Sequence, residues 1–150
     1  MIAIRPGLPA EHAALLALLR RAALANSEHR ADLLANPDAL ELPAAQVAAG
    51  DVLVAERDGA LLGFAALAWR ADGDCELDGL FVEPAHWRHG VGSTLVEHAA
   101  QCAGLRGAAA LHVVAGEAAE GFYAACGFVR TGAAVTRFGP ALAMRRSLSG

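Results

Sequence analysis

The chain has 150 residues, of which 55% are hydrophobic and 19% are charged, and its formal net charge is -4. This length fits one ordinary domain, and a composition this apolar excludes wholesale disorder. The negative net charge argues against a generic surface for nucleic acid or anionic membrane. We therefore expect a single domain over residues 1–150 that binds neither nucleic acid nor membrane.

The early apolar stretch and the cysteines indicate where such a protein resides. Residues 13–19 are apolar but are followed by two arginines, so the stretch is too short to span a bilayer. A signal peptide has its basic residues before the apolar segment, not after it. Cys75, Cys102 and Cys126 form no CxxC pair, which argues against a disulfide framework or a zinc ribbon. We expect a cytoplasmic protein.

The first half of the chain predicts a helix and a run of strands. The predicted elements are a strand at 2–5, a helix at about 10–25, short helical pieces at 28–34 and 44–49, and strands at 52–57, 61–69 and 75–82. Apolar residues at helical spacing predict the buried face of the first helix: Leu15, Leu18, Leu19 and Ala22. The segment Asp58-Gly59-Ala60 predicts a hairpin between two of the strands.

The second half alternates helices and strands. The predicted elements are a helix that opens after the glycine loop and ends near Gly104, a strand at 109–115, a helix at 117–126, and strands at 128–135 and 141–148. The helix after the glycine loop is expected to bury the face formed by Val91, Leu95, Ala99 and Cys102. The helix at 117–126 is expected to bury the face formed by Ala119, Phe122, Tyr123 and Cys126. This order of elements predicts an α/β (α+β) fold, a mixed sheet with helices packed on it.

A glycine-containing loop, residues 87–92, connects a strand to a helix. Gly90 and Gly92 allow a tight turn and a close backbone approach to a ligand, and the first amides of the following helix have no partner within it. Together these features suit a pyrophosphate, and Arg88 can add a cation. The Walker pattern is absent, and Leu95 stands where a Rossmann fingerprint requires a third glycine. An ordinary strand-to-helix turn would show the same two glycines.

Three segments point to a family. Residues 76–84 read Glu-Leu-Asp-Gly-Leu-Phe-Val-Glu-Pro, the loop reads Trp-Arg-His-Gly-Val-Gly, and residues 121–128 read Gly-Phe-Tyr-Ala-Ala-Cys-Gly-Phe. In this order they resemble the GNAT superfamily of acyl-CoA-dependent N-acetyltransferases. The chain departs from the family pattern at Trp87, where Gln or Arg is usual, and at Gly116, where Asn is frequent.

The resemblance implies a central, mostly antiparallel sheet that is flanked by helices and splayed where acyl-CoA binds. It implies that the backbone of Leu80, Phe81 and Val82 pairs with the pantetheine arm of acetyl-CoA, the expected cosubstrate. Gly79 independently signals a bulge or a close approach in this strand. The residues that would hold the pyrophosphate are Arg88, His89, Gly90, Val91, Gly92, Ser93 and Thr94, although the last two could instead cap the helix.

The resemblance also implies transfer of an acetyl group to a primary amine by direct attack. Glu76 and Asp78, two apart on one strand, project to the same face and are the candidate bases, unless they are ordinary solvent-facing carboxylates. Tyr123 matches the family tyrosine that protonates the departing thiolate, with core packing beside Phe122 as its alternative role.

The acceptor and the competing functions stay open at this level. By family analogy residues 26–50 form much of the pocket for a small-molecule amine, where Glu28, His29, Asp32 and Glu41 would suit a cation. A non-catalytic acyl-CoA-binding sensor or scaffold and a nucleotide-binding regulatory domain are the alternatives. No metal is expected, because His86, His89 and Glu83 are not joined by a further ligand cluster. The family is compatible with a homodimer, which the sequence does not decide.

Overall fold

The computed structural model describes residues 1–25 and 30–148, which form a mixed α/β fold. The strands are β1 (Ala3–Pro6), β2 (Val52–Arg57), β3 (Ala60–Trp69), β4 (Cys75–Val82), β5 (Ala110–Ala115), β6 (Val129–Thr136) and β7 (Gly139–Ser147). The helices are α1 (His12–Ala25), α2 (Arg30–Ala35), α3 (Ala44–Ala48), α4 (Val91–Leu105) and α5 (Glu120–Ala125). Within these described ranges, no helix has both the length and the apolarity needed to cross a bilayer.

The strands of the described residues form a single seven-stranded sheet in the order β1-β2-β3-β4-β5-β7-β6. β4 and β5 pair in parallel, whereas β1 with β2, β2 with β3, β5 with β7 and β6 with β7 pair antiparallel. The predicted mixed, mostly antiparallel sheet with flanking helices is therefore confirmed.

The chain divides into two compact units, which we describe separately. The first unit comprises Met1–Ala66 with Gly79–Leu95, and the second comprises Leu67–Asp78 with Val96–Gly150. β3, β4 and α4 each run from one unit into the other along the chain. The expectation of a single domain over residues 1–150 stays a prediction.

The core of the first unit forms on the predicted face of α1. Leu15, Leu18 and Leu19 are buried and belong to a cluster that also contains Val52, Val54, Phe64 and Ala66 of β2 and β3. Phe64 packs against Phe81 with ring centroids 5.4 Å apart. The 3.6-residue period of α1 and the period of two along the strands place these side chains on facing surfaces.

The hairpin between β2 and β3 forms as predicted, but its turn is shorter than the sequence indicated. Asp58 and Gly59 both adopt positive φ, at 51° and 81°, and Ala60 already belongs to β3. Two left-handed residues in succession match the twist of antiparallel strands, which is why a two-residue turn closes this hairpin.

Two details of the second half differ from the sequence prediction. Gly104 does not end α4, which runs on to Leu105, and the left-handed residue beyond it is Gly107, with φ of 91°. The segment 117–126 is a 3-10 turn at Glu117–Ala119 followed by the short α5. Phe122 and Tyr123 are adjacent in α5, where successive side chains point about 100° apart. Tyr123 is buried at 8% exposure, whereas Phe122 is exposed at 37%, so the expected common face is not formed.

A charge network joins the start of the first unit to its sheet. The guanidinium of Arg5 donates to both carboxylate oxygens of Glu11, at 2.8 and 2.7 Å, and its Nε donates to Glu56 at 3.0 Å. Glu11 also accepts the backbone N–H of Leu8 at 2.9 Å. The hydrogen bonds from Arg5 are the main reason that the pKa of Glu11 falls from 4.5 to about 2.

Replacement of Glu11 with Gln tests this network. A carboxyl whose pKa is lower in the folded state stabilises the fold above its unfolded pKa, and this stability is lost as the pH falls through the folded value. The variant should therefore unfold at a lower urea concentration than the wild type at pH 7, and the difference should shrink between pH 4.5 and about 2. The exposed Glu117→Gln is the control; a Glu11→Gln deficit that is independent of pH would contradict the assignment.

Candidate functional site

The glycine loop of the first unit leads from the end of β4 into the N-terminus of α4. Beyond β4, a 3-10 turn at Pro84–His86 leads to Arg88 and Gly90, which adopt positive φ of 67° and 81°. The first hydrogen bond of α4 runs from the Thr94 N–H to the Gly90 carbonyl at 3.1 Å. The amides that precede it, in the first turn of the helix, have no acceptor one turn earlier in the helix and lie at its positive end. Arg88, His89 and Gly90 are exposed beside them.

The hydroxyls of Ser93 and Thr94 make hydrogen bonds within the start of α4 itself. Both donate to the Gly90 carbonyl, at 3.2 and 2.8 Å. Hydroxyls that satisfy a backbone carbonyl stabilise the turn itself. What these two residues offer to an anion is therefore the backbone at the start of α4.

The structure gives Trp87 a defined task at the position where the family usually has Gln or Arg. Its indole N–H donates to the carbonyl of Val82, the last residue of β4, at 2.8 Å, while 42% of the residue stays exposed. The Trp87 backbone N–H donates to Pro84 at 3.3 Å. Trp87 thus ties the loop to the end of the strand.

Arg21 neutralises the carboxylate at the base of the loop. Its Nε and Nη2 donate to the two oxygens of Glu83, both at 2.8 Å. This pairing holds the pKa of Glu83 below its usual value. Because the negative charge is compensated, Glu83 repels an anion at the loop less than a lone carboxylate would. Arg21 carries no local motif, and sequence reasoning missed it.

The end of β4 lies very close to its neighbours in the first unit. A Cβ on Gly63 of β3 would come within 2.7 Å of the Phe81 carbonyl, and a Cβ on Gly79 within 2.8 Å of the Phe81 ring. Gly79 is thus a close-approach position, one of the two meanings that the sequence allowed. Leu80, Phe81 and Val82 are partly buried, and the Val82 carbonyl, which can accept a second hydrogen bond, already accepts the indole of Trp87.

In the second unit, β4 presents its two candidate bases on one face. Cys75 and Leu77 are buried, whereas Glu76 is half-buried and Asp78 is exposed, as alternation along a strand requires. Arg70 lies 3.9 Å from the Glu76 carboxylate. Glu76 is also the register partner of His112 on β5.

Tyr123 occupies an apolar site in the second unit. Its ring packs edge-on against Phe122 and Phe128, with centroid distances of 5.0 and 5.4 Å. Burial raises the pKa of the Tyr123 phenol to about 12. The phenol therefore stays protonated at neutral pH and can act as a proton donor.

The remaining predicted residues are Gly116, the acidic residues expected near the acceptor, and the two histidines of the loop region. Gly116 is extended and precedes the 3-10 turn, whose Ala119 N–H donates to its carbonyl at 3.0 Å. Asp32 on α2 and Glu41 are exposed, whereas Glu28 and His29 lie outside the described residues. The rings of His86 and His89 are 6.2 Å apart, and among residues 1–25 and 30–148 no three His, Cys, Asp or Glu side chains are grouped to hold a metal.

Comparison with known proteins identifies the family to which the chain belongs. Residues 48–130, more than half of the chain, match the acetyltransferase (GNAT) domain family. The chain belongs to the GNAT acetyltransferase family, as the sequence motifs indicated.

Solved structures of the same fold cover nearly the whole chain. A GCN5-related N-acetyltransferase from Rhodopseudomonas palustris is 29% identical over 97% of this chain and 95% of its own, with a TM-score of 0.79. The PaiA N-acetyltransferase of Thermoplasma acidophilum, solved with coenzyme A, is 18% identical over 98% and 99%, with a TM-score of 0.80. YncA of Salmonella typhimurium, solved with acetyl-CoA, is 22% identical over 100% and 95%, with a TM-score of 0.75. A search of curated proteins found no match.

Replacement of Trp87 with Phe tests the loop anchor. The ring is retained but the donor to Val82 is lost, so backbone amides of residues 85–90 should exchange with solvent roughly 2- to 10-fold faster, as expected for one hydrogen bond with a net worth of roughly 0.5–1.5 kcal/mol. Hydrogen exchange read by mass spectrometry measures this. The same change at Trp69, which packs against Arg106, is the control. Unchanged exchange in the Trp87→Phe loop would show that the bond does not hold it.

Proposed function

We propose that the protein is an N-acetyltransferase that transfers an acetyl group from acetyl-CoA to a primary amine of a small molecule, by direct attack in a ternary complex. The observation that carries the proposal is the exposed glycine loop at the start of α4, with left-handed Arg88 and Gly90. Membership of the acetyltransferase family supports it, as do the relatives solved with coenzyme A and acetyl-CoA.

The first unit supplies the groups that fit acetyl-CoA. The amides of Val91 and Gly92 and the exposed side chain of Arg88 suit a pyrophosphate. The partly buried backbone of Leu80–Val82 suits the amides of a pantetheine arm, and an N–H near Leu80 would polarise a thioester carbonyl. The remaining loop residues of this proposed subsite are His89, Gly90, Ser93 and Thr94. When bound, acetyl-CoA supplies an acetyl thioester that is open to attack by an amine.

The second unit supplies the groups that move protons. An alkyl amine is mostly protonated at pH 7, and it must lose a proton before it can attack. Glu76 and Asp78 project from the same face of β4 and are the proposed acceptors, directly or through water. Tyr123, whose pKa is about 12 because it is buried, is the proposed donor to the departing thiolate.

The acceptor is proposed to be a small cationic amine. Asp32 and Glu41 are exposed acidic residues of the first unit, and the chain as a whole carries a net charge of -4. Acidic residues attract a cation and repel a polyanion. On the same charge argument we propose that neither a nucleic acid nor a membrane is a partner. The cysteines, which form no CxxC pair, are the ground for proposing a cytoplasmic protein, and a homodimer is compatible with the proposal.

Isothermal titration is the first test. We expect acetyl-CoA and coenzyme A to bind in the micromolar range and ATP and NAD to bind more weakly at the same salt concentration. A panel of amino acids, alkyl diamines, aminoglycosides and short peptides then shows which amine releases free thiol from acetyl-CoA. Preference for ATP or NAD would overturn the acetyltransferase proposal, and binding of acetyl-CoA without thiol release for any amine would favour a sensor.

Replacement of Tyr123 with Phe separates catalysis from binding. The ring packing against Phe122 and Phe128 is retained, but the proton donor is removed, so kcat should fall on the order of 100-fold, within the range for general acid catalysis. The dissociation constant of acetyl-CoA should stay unchanged. Phe128→Leu, which alters the packing and keeps the phenol, is the control. Full turnover in Tyr123→Phe would show that the phenol has only a packing role.

A further inference from the structure

We propose that His112, held by Asp74, and not Glu76 or Asp78, is the group that first accepts the proton of the amine during acetyl transfer. This assignment rests on the proposed function and deepens it, because it adds a catalytic residue that no motif in the sequence signalled. Asp74 would act as a positioning residue for the imidazole.

The hydrogen bond between the two side chains fixes the imidazole. The Nε2 atom of His112 lies 2.8 Å from Oδ2 of Asp74, and the two residues are 38 positions apart in the chain. The other carboxylate oxygen accepts the backbone N–H of Ala109 at 3.0 Å. The side chains are 22% and 18% exposed, so the pair is largely sheltered but open to a small molecule.

The same contacts define the charge of the pair. The hydrogen bond from His112, together with those from the amides of Ala109 and Ala110, lowers the pKa of Asp74. A carboxylate that stays ionised is an acceptor only, so Nε2 carries the hydrogen that it donates. The Nδ1 atom of a neutral imidazole is then the free basic nitrogen.

The sheet register places His112 beside the candidate base Glu76. Of the described residues of β4 and β5, two pairs form the parallel ladder: Cys75 with Leu111, and Glu76 with His112. Partners in register project to the same face of a sheet. Both strands continue beyond this last pair, to Asp78 and onwards in β4 and to Ala115 in β5. Glu76 and His112 therefore stand at the point where the two strands cease to pair.

Charged groups of both signs surround the imidazole. Glu76 faces it from β4, and Arg70 lies 3.9 Å from Glu76. Arg145, the register partner of His112 on β7, faces it from the other side and donates to the Ser147 hydroxyl at 2.8 Å. Asp78 projects from the face of Glu76, one alternation further along β4. The acids favour the approach of an ammonium group to the imidazole.

The chemistry of the proton transfer favours an imidazole over a lone carboxylate. A free imidazole is a stronger base than a free carboxylate, so it takes a proton from an ammonium group more readily. The ammonium group gives one proton to Nδ1 of His112, which becomes an imidazolium paired with Asp74. The neutral amine forms the new C–N bond as the C–S bond breaks. Tyr123 protonates the departing thiolate and recovers its proton from the nitrogen of the attacking amine, and the imidazolium returns its proton to water.

The test compares His112→Gln and Asp74→Asn with the wild type, using acetyl-CoA and the best amine from the panel described above. Gln retains a donor to Asp74 but not a base. We expect kcat/KM of His112→Gln to fall on the order of 100-fold, and we expect its pH profile to lose the decrease in kcat/KM at acid pH. In Asp74→Asn, this acid-side decrease should remain but occur at a different pH. The dissociation constant of acetyl-CoA should not change. His98→Gln, a half-buried histidine of α4, is the matched control.

The outcomes separate this inference from the proposed function. If the wild type transfers acetyl groups and His112→Gln keeps the same pH profile, or if Glu76→Gln alone removes the acid-side decline, His112 is not the proton acceptor. If no amine is acetylated by the wild type, the proposed function fails and the inference fails with it. Nitrogen NMR of the imidazole gives a reading that is independent of turnover: hydrogen on Nε2 supports the assignment, and hydrogen on Nδ1 at pH 8 overturns it.

Discussion

The parallel pairing of β4 with β5 is the constraint on which the candidate site depends. Parallel neighbours require a crossover, and here the crossover is α4. The chain must therefore leave the carboxyl end of β4, turn through the glycine loop and enter α4 at its positive N-terminus. Crevices at the carboxyl ends of such strands are common ligand sites in α/β sheets. The described ladder comprises only the pairs at Cys75 and Glu76, so the strands run on beyond their pairing.

Compensated charge is a second feature that the two units share. Glu83 at the base of the loop is paired with Arg21, and Asp74 in the second unit is paired with His112. Glu97 on α4 is paired likewise with Arg146, with both contacts at 2.9 Å. Pairs of this kind hold the carboxylates ionised and oriented.

The departures from the family pattern have different structural consequences. Trp87 replaces a polar residue, yet its indole N–H bonds the end of β4, so the loop keeps an anchor of another kind. Gly116 leaves the 3-10 turn before α5 without a side-chain cap. Tyr123 of α5 is nevertheless buried between aromatic rings. The structure thus accounts for the loop position, and the phenol does not depend on an Asn at residue 116 for its packing.

The sequence alone determined those features that depend on residues close together in the chain. The face of α1, the strand over 75–82, the glycine loop and the family follow from periodicity, glycine positions and short motifs. The tertiary structure decided the rest: that Trp87 bonds Val82, that Arg21 neutralises Glu83, and that His112 meets Asp74. The last two contacts join residues 62 and 38 positions apart. They depend on strand register and on how a helix packs on the sheet, which the local pattern of side chains does not specify.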